Sequence, residues 1–218
     1  MKLVTAIVYV ISLKPMPVLK KIQTNDSEVC VWKITEGQSD FELNLQPSES
    51  TQAQRNIQWL AGRAALSALH VDVSSIQKDE FGKPHLGSNS HQISLSHCKK
   101  YAAAIKSNLS VGIDIEEITP RIDRIAKRFV HPNEWAFINE SQRLEMLYLL
   151  WSGKEALYKL YGKKAVDFQN HMIAQPFELR KSGIFTMKFL KDVNESFIIQ
   201  YEIFDGHTLV WVEGKDDV

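Results

Sequence analysis

Four side chains with types and spacing suited to phosphate chemistry stand in two short stretches of this 218-residue chain. In Val111-Gly-Ile-Asp-Ile-Glu-Glu117, Asp114 and Glu116 are separated by one residue. On a strand, that spacing puts both carboxylates on one face and turns Ile113 and Ile115 to the other. Two acids so close repel unless a cation lies between them. Mg2+ takes oxygen ligands, commonly one or two carboxylates plus the phosphates of a ligand. The same alternation also describes the exposed face of a half-buried strand, and spacing does not choose between the two. In Trp151-Ser-Gly-Lys-Glu-Ala-Leu-Tyr-Lys159, Trp151, Glu155 and Lys159 recur every fourth residue, a narrow stripe on a helix, with Lys154 beside it. An exposed Glu–Lys pair is the plain reading. The stripe continues Leu147 and Trp151, however, which read as inward. A glutamate and a lysine drawn toward a core need partners, and a metal-bound polyphosphate supplies them.

Other elements must bring these stretches together. Residues 28–35 are β-branched and aromatic and read as a strand. Ser48 and Ser50 introduce a helical pattern with Ile57, Leu60, Ala61, Ala64, Ala65, Leu66 and Leu69 on its apolar face. Arg55 and Arg63 lie on that helix two turns apart, close to one side; solvated surface arginines are the alternative. Asp79-Glu-Phe-Gly-Lys-Pro84 is a turn signal, and Pro84 forces Lys83 into an extended conformation on a stiff loop. Gln92–His97 alternates Ile93 and Leu95 against Ser94 and Ser96, residues 101–105 form the next strand, and Asn108 marks the turn into 111–116. Lys83, Ser96, His97, Arg55 and Arg63 thus offer phosphate-seeking groups from the first half, opposite the acids and lysines of the second.

Past Thr119-Pro120, residues 121–129 are amphipathic. Ile122, Ile125, Ala126 and Phe129 point inward, and Arg121, Arg124, Lys127 and Arg128 make a basic outer face. His131-Pro132 breaks this segment, and a short helix follows over 133–139. Ser141 is expected to cap a helix of about five turns that ends at Gly162. Residues 185–190, 197–203 and 208–212 read as strands, with Asp205-Gly206 as a hairpin turn. Strands, helix and strands followed by helix and strands again predict an α+β fold of two halves with a boundary near residue 109.

Composition narrows the partners. Lysine plus arginine equals aspartate plus glutamate, 26 each, so global charge gives no reason to expect nucleic acid or an anionic membrane. Cys30 and Cys98 fit neither a disulfide framework nor a metal-ligand spacing, and read as reduced thiols of a cytoplasmic protein. His97 and Cys98 are adjacent on an extended segment, so they point apart and make a poor nucleophile pair. The apolar run Leu3–Leu13 follows Lys2, but no small-x-small cleavage site comes after it and it is too short to span a bilayer. A strand or an added tail is expected there.

Gly112-Ile-Asp-Ile-Glu116 followed by Trp151-Ser-Gly-Lys-Glu-Ala-Leu-Tyr-Lys159 resembles the paired signature of the two-lobed, surfactin-synthetase-activating type of 4′-phosphopantetheinyl transferases. Phe81-Gly-Lys-Pro84 and Ile93-Ser-Leu-Ser-His97 match that family in order and spacing, so the resemblance runs over roughly residues 16 to 210. It implies a pseudo-dimer of two similar α+β lobes, residues 16–109 and 110–218, with the active site in the cleft between them. Residues 1–15 become an extension without a counterpart. It further implies Mg2+ held by Asp114, Glu116 and Glu155 against the coenzyme A pyrophosphate, with Lys159 and Lys154 near the same phosphates. Ser96 and His97 are expected at the nucleotide end, with Lys83, Arg55 and Arg63 in the nucleotide-phosphate region. The implied reaction moves the phosphopantetheine arm to a serine of an apo acyl or peptidyl carrier protein and releases 3′,5′-ADP, with Glu155 and Lys159 catalytic. The basic face of 121–128 is a candidate carrier dock, and a monomer is expected. A Mg2+-dependent coenzyme A pyrophosphate hydrolase and a non-catalytic coenzyme A or nucleotide binder are the competing readings.

Overall fold

The computed structural model describes residues 18–35, 53–87, 91–192 and 194–215. The expected extension at 1–15 and the expected caps Ser48 and Ser50 lie outside them. β1 (Val18–Gln23), β2 (Ser27–Lys33), β5 (Gln92–His97) and β6 (Tyr101–Ser107) form an antiparallel sheet in the order β1-β2-β6-β5. α1 (Ala53–Ser67) and a two-stranded ribbon, β3 (Ile76–Lys78) with β4 (Pro84–Leu86), lie between β2 and β5 in sequence. A second antiparallel sheet runs β7-β11-β10-β9-β8. Its strands are β7 (Val111–Glu117), β8 (Met172–Ala174), β9 (Ser182–Phe189), β10 (Glu195–Phe204) and β11 (His207–Glu213), and α2 (Arg143–Tyr161) follows β7 in the chain.

The two halves share one plan. A strand leads to a helix, and a later hairpin returns its second strand beside the first: β2-β6-β5 with α1, and β7-β11-β10 with α2. Alternation along the strands divides the core into three layers. Val29, Val31, Tyr101, Ala103 and Ile105 meet Val111, Ile113, Ile115, Leu209 and Trp211 between the sheets. Cys30, Trp32, Ala102 and Ala104 face α1 with Ala61, Ala65, Leu66 and Leu69. Ile199, Tyr201, Val210 and Val212 belong to the α2 layer with Leu147, Leu150, Ala156 and Leu157. Polar bonds add to the apolar seam. Lys20 pairs with Glu202, Lys100 and Tyr101 bind Asp205, and Thr24 donates to Glu213 at 2.7 Å.

Some local expectations change. The segment after Thr119 is two 3₁₀ turns, Pro120–Arg124 and Ala126–Arg128, although Ile122, Ala126 and Phe129 are buried as the pattern requires. The helix expected over 133–139 is a single 3₁₀ turn, Trp135–Phe137. Ser141 does not cap α2: it sits in the turn Glu140–Gln142, capped by Asn139, and α2 starts at Arg143 without a side-chain cap. The other end is as expected, with Gly162 at φ 73° donating its N–H to Tyr158.

Candidate functional site

The site begins where β7 presses against α2. A Cβ on Gly112 would lie 1.8 Å from the Ala156 carbonyl oxygen and 2.9 Å from the Leu160 nitrogen. Only hydrogen in place of a side chain lets the strand backbone touch the helix backbone. This close approach sets Asp114, the next residue on the same face of β7, beside the helix turn that carries Glu155 and Lys159. Sequence reading took Gly112 as part of a motif. A lone glycine inside an apolar strand pattern was the signal for its role.

Asp114 is buried and doubly engaged. Its Oδ1 accepts from Lys159 Nζ at 2.8 Å and from the Ser96 hydroxyl at 2.8 Å. Its Oδ2 is buried and has no hydrogen-bond partner. Lys159 Nζ also donates to the Ile113 carbonyl at 2.8 Å, and the Ile113 N–H donates to Ser94 Oγ at 3.2 Å. One node therefore ties β5, β7 and α2, and so joins both halves. Glu116 receives Trp151 Nε1 at 3.4 Å and lies 3.6 Å from Arg121 NH2. Arg121 and Thr119 in turn reach the Tyr148 hydroxyl.

Electrostatics couple the three acids. Burial pushes the Glu155 carboxyl up to about 7; Asp114 and Glu116 add to the rise, and Lys159 opposes it. Glu116 is raised too, first by burial and then by Asp114, against Trp151, Arg121 and Lys159. Among the described residues, no three His, Cys, Asp or Glu side chains stand close enough together to form a ready metal cluster. Lys159, paired with Asp114, and Arg121, beside Glu116, answer part of the charge of the acids.

The remaining expected residues divide. His97 is open to solvent, yet the protein packed around it presses its pKa down, and the Lys159 charge adds to this. Lys83 reaches across from the β3–β4 turn: its Nζ donates to the Leu160 carbonyl at 2.7 Å, and its stem would meet a Cβ placed on Gly162. Burial lowers its pKa against Asp79. Arg55 is exposed three residues before Gln58, whose amide donates to the Cys98 carbonyl at 3.0 Å, so its side of α1 lies toward the His97 end of β5. Arg63 stacks over Trp59 with its guanidinium carbon 3.2 Å from the ring centroid. Lys154 differs from the expectation that put it near phosphates. It is 0% exposed, and its Nζ donates to Glu134 Oε2 at 2.7 Å. The helix turns about 100° per residue, so a residue next to Glu155 faces another direction. Glu134 had no signal in the sequence beyond the break at Pro132.

Residues 110–209 match the 4′-phosphopantetheinyl transferase superfamily. The chain is 28% identical over 135 residues to the 4′-phosphopantetheinyl transferase gsp of Aneurinibacillus migulanus, covering 60% of this chain and 54% of that protein. It is 32% identical over 146 residues to the 4′-phosphopantetheinyl transferase Sfp of Bacillus subtilis (strain 168), covering 64% of this chain and 63% of that one. With the 4′-phosphopantetheinyl transferase AcpT of Escherichia coli (strain K12) it shares 34% over 124 residues, 54% of this chain and 64% of the relative. The matches thus span between about half and two thirds of these relatives' lengths. The stretch that is similar to the 4′-phosphopantetheinyl transferase superfamily, residues 110–209, contains both the strand that carries Asp114 and Glu116 and the helix that carries Glu155 and Lys159.

Proposed function

We propose that this chain transfers the 4′-phosphopantetheine arm of coenzyme A to a serine of an apo acyl or peptidyl carrier protein. The observation that carries the reading is the node of Asp114, Lys159 and Ser96, built from both halves in a chain whose residues 110–209 match this superfamily. Ligand phosphates lying along this node would meet Lys159, with His97, Lys83 and Arg55 toward the nucleotide end. Arg63 is committed to Trp59, and Lys154 to Glu134, so neither is assigned a phosphate.

Asp114, Glu116 and Glu155 fit a divalent cation. Asp114 Oδ2 is a buried carboxylate oxygen without a hydrogen-bond partner, and both glutamates are raised first by burial and then by the neighbouring acids, a charge that a cation would answer. When bound, Mg2+ would neutralise pyrophosphate charge. The protein's own groups carry the rest of the proposal. The serine oxygen forms a bond to the β-phosphorus, and the bond from that phosphorus to the bridging oxygen breaks. The electron pair leaves with 3′,5′-ADP, whose charge Lys159 stabilises. The serine proton goes to Glu155, the acid on the α2 turn that also carries Lys159. Exposed Arg124, Lys127 and Arg128 offer an acidic carrier domain a surface close to Arg121 and Glu116. Buried free Cys30 and Cys98 support a reducing compartment, the cytoplasm. Among the described residues, no helix is long and apolar enough to cross a membrane.

The test is intact-protein mass spectrometry of apo carriers incubated with coenzyme A, Mg2+ and the protein. A carrier mass gain of one phosphopantetheine is expected, and Glu155→Gln should slow it by about a hundredfold or more. Carrier-independent release of 3′,5′-ADP would make the protein a hydrolase, and coenzyme A binding with neither product would make it a binder. Full activity of Glu155→Gln would remove Glu155 from both of its roles.

A further inference from the structure

Lys154 and Glu134 are completely buried, and they bond to each other rather than to a group assigned to coenzyme A. Lys154 Nζ donates to the Phe129 carbonyl at 2.5 Å as well as to Glu134 Oε2. Glu134 Oε2 also accepts the His131 N–H at 2.7 Å, and Oε1 accepts the Ala174 N–H at 2.7 Å. α2, the turn at 129–134 and β8 therefore meet at one ion pair.

The segment tied down there is weak on its own. Its 3₁₀ turns, Pro120–Arg124 and Ala126–Arg128, are short and have poor hydrogen-bond geometry. Buried Ile122, Ala126, Phe129 and Val130 hold its inner side, and Gln169 donates to the Lys127 and Val130 carbonyls. Its outer side presents Arg124, Lys127 and Arg128 to solvent. An apolar pair of similar volume would fill the space of Lys154 and Glu134, but the backbone groups it left unpaired would cost stability. It would not bind the backbone of Phe129 and His131, which a charged donor and acceptor fix in place.

We infer that the Lys154–Glu134 pair is a positioning device for the basic segment 120–131, and that it sets the affinity for an acidic carrier domain. Lys154 then acts through the segment that docks the carrier. The inference rests on the transferase reading and on docking at this segment.

The test replaces both partners at once in the full chain, Lys154→Met with Glu134→Leu, and compares coenzyme A affinity by calorimetry with transfer kinetics and Tm. Coenzyme A Kd should stay within about twofold, while the carrier KM rises about fivefold or more and kcat at saturating carrier changes less than about threefold. A tenfold weaker coenzyme A Kd with an unmoved carrier KM would make Lys154 a phosphate ligand and overturn the inference. Unchanged constants in a folded double variant would overturn it as well. If the double variant does not fold, Glu134→Gln, which keeps the shape but removes the charge, should show the same split at smaller size. Arg124→Glu with Arg128→Glu separates the two levels. If this reversal leaves the carrier KM unmoved, the docking surface is wrong and the inference falls with it. If it raises the KM and the Lys154/Glu134 variant does not, the positioning role alone is wrong.

Discussion

The two halves build the same strand–helix contact and fill it differently. In β2 the residues facing α1 are Cys30 and Trp32, both in an apolar layer. In β7 the residues facing α2 are Gly112 and Asp114, followed by Glu116 at the strand's end. The opposite faces of the two strands match in kind: Val29 and Val31 in one, Val111, Ile113 and Ile115 in the other, all in the layer between the sheets. Architecture thus sets where a helix meets a strand, and two positions on the helix-facing side decide whether that contact is core or site. The second half pays for its carboxylates by removing a side chain at Gly112, so that Asp114 and the Glu155–Lys159 turn can meet.

The sharpest way to break this comparison is Gly112→Ala. The new Cβ meets backbone rather than a flexible side chain, so strand and helix must separate. Overpacking typically costs about 1–3 kcal/mol and occasionally more, and rigid backbone puts this case at the upper end. Urea unfolding should show a loss of about 3 kcal/mol, and transfer should fall out of proportion to the folded fraction. Cys30→Ala at a related place in the first half removes one buried atom from an apolar layer and should cost about 1 kcal/mol. Equal costs at the two positions would mean that the close approach does not define the second half.

A smaller effect separates the halves by pH. Glu155 is pushed up to about 7, so in metal-free protein the folded state keeps a proton that the unfolded chain releases near the ordinary glutamate value. The stabilisation from that proton is present at low pH and is lost as pH rises through the folded pKa. Glu116 is raised as well and acts in the same direction. With EDTA present, the urea midpoint should fall between pH ~5 and pH ~8, and Glu155→Gln should flatten that fall. Cys30, pushed up to about 11 by burial, does not titrate in this window, so Cys30→Ala should leave the slope alone. Parallel slopes for the parent and Glu155→Gln would show that the carboxyl is not perturbed.

Sequence periodicity made most strands legible, because alternation reports burial directly: Ile113 and Ile115 enter the core and Asp114 faces α2, as spacing requires. The Trp151–Glu155–Lys159 stripe was legible for the same reason, since helix geometry is local. Local spacing cannot report which direction a buried charge takes when a partner distant in sequence supplies its counter-charge. Lys154 looked like a phosphate group because Glu134, twenty residues away, is marked by no pattern. The turns at 120–128 kept the helical burial pattern without the α-helix, because Pro120 and tertiary packing override a weak propensity. The ribbon β3–β4 was read only as its turn, since strands of three residues are too short to show alternation.

The smallest expected effect lies on α1, the helix of the half without carboxylates. Arg63 rests on the face of Trp59 and donates to the Trp59 carbonyl at 3.3 Å, and burial presses its pKa down to about 10. A guanidinium already stacked in this way has little left for a ligand, whereas Arg55 has its charge in solvent on the side of α1 toward β5. Arg63→Ala should therefore cost about 0.5–1 kcal/mol of stability, the worth of a cation–π contact near a surface. Its coenzyme A Kd by calorimetry should move less than about twofold, since a tenfold change would need about 1.4 kcal/mol of lost contact. Arg55→Ala reverses the pattern, with stability unchanged and coenzyme A affinity lowered a few-fold in a salt-dependent way. A tenfold loss of coenzyme A affinity in Arg63→Ala would mean that the arginine leaves Trp59 for the nucleotide. The first half would then contribute to the site through its helix as well as through β5 and the β3–β4 turn.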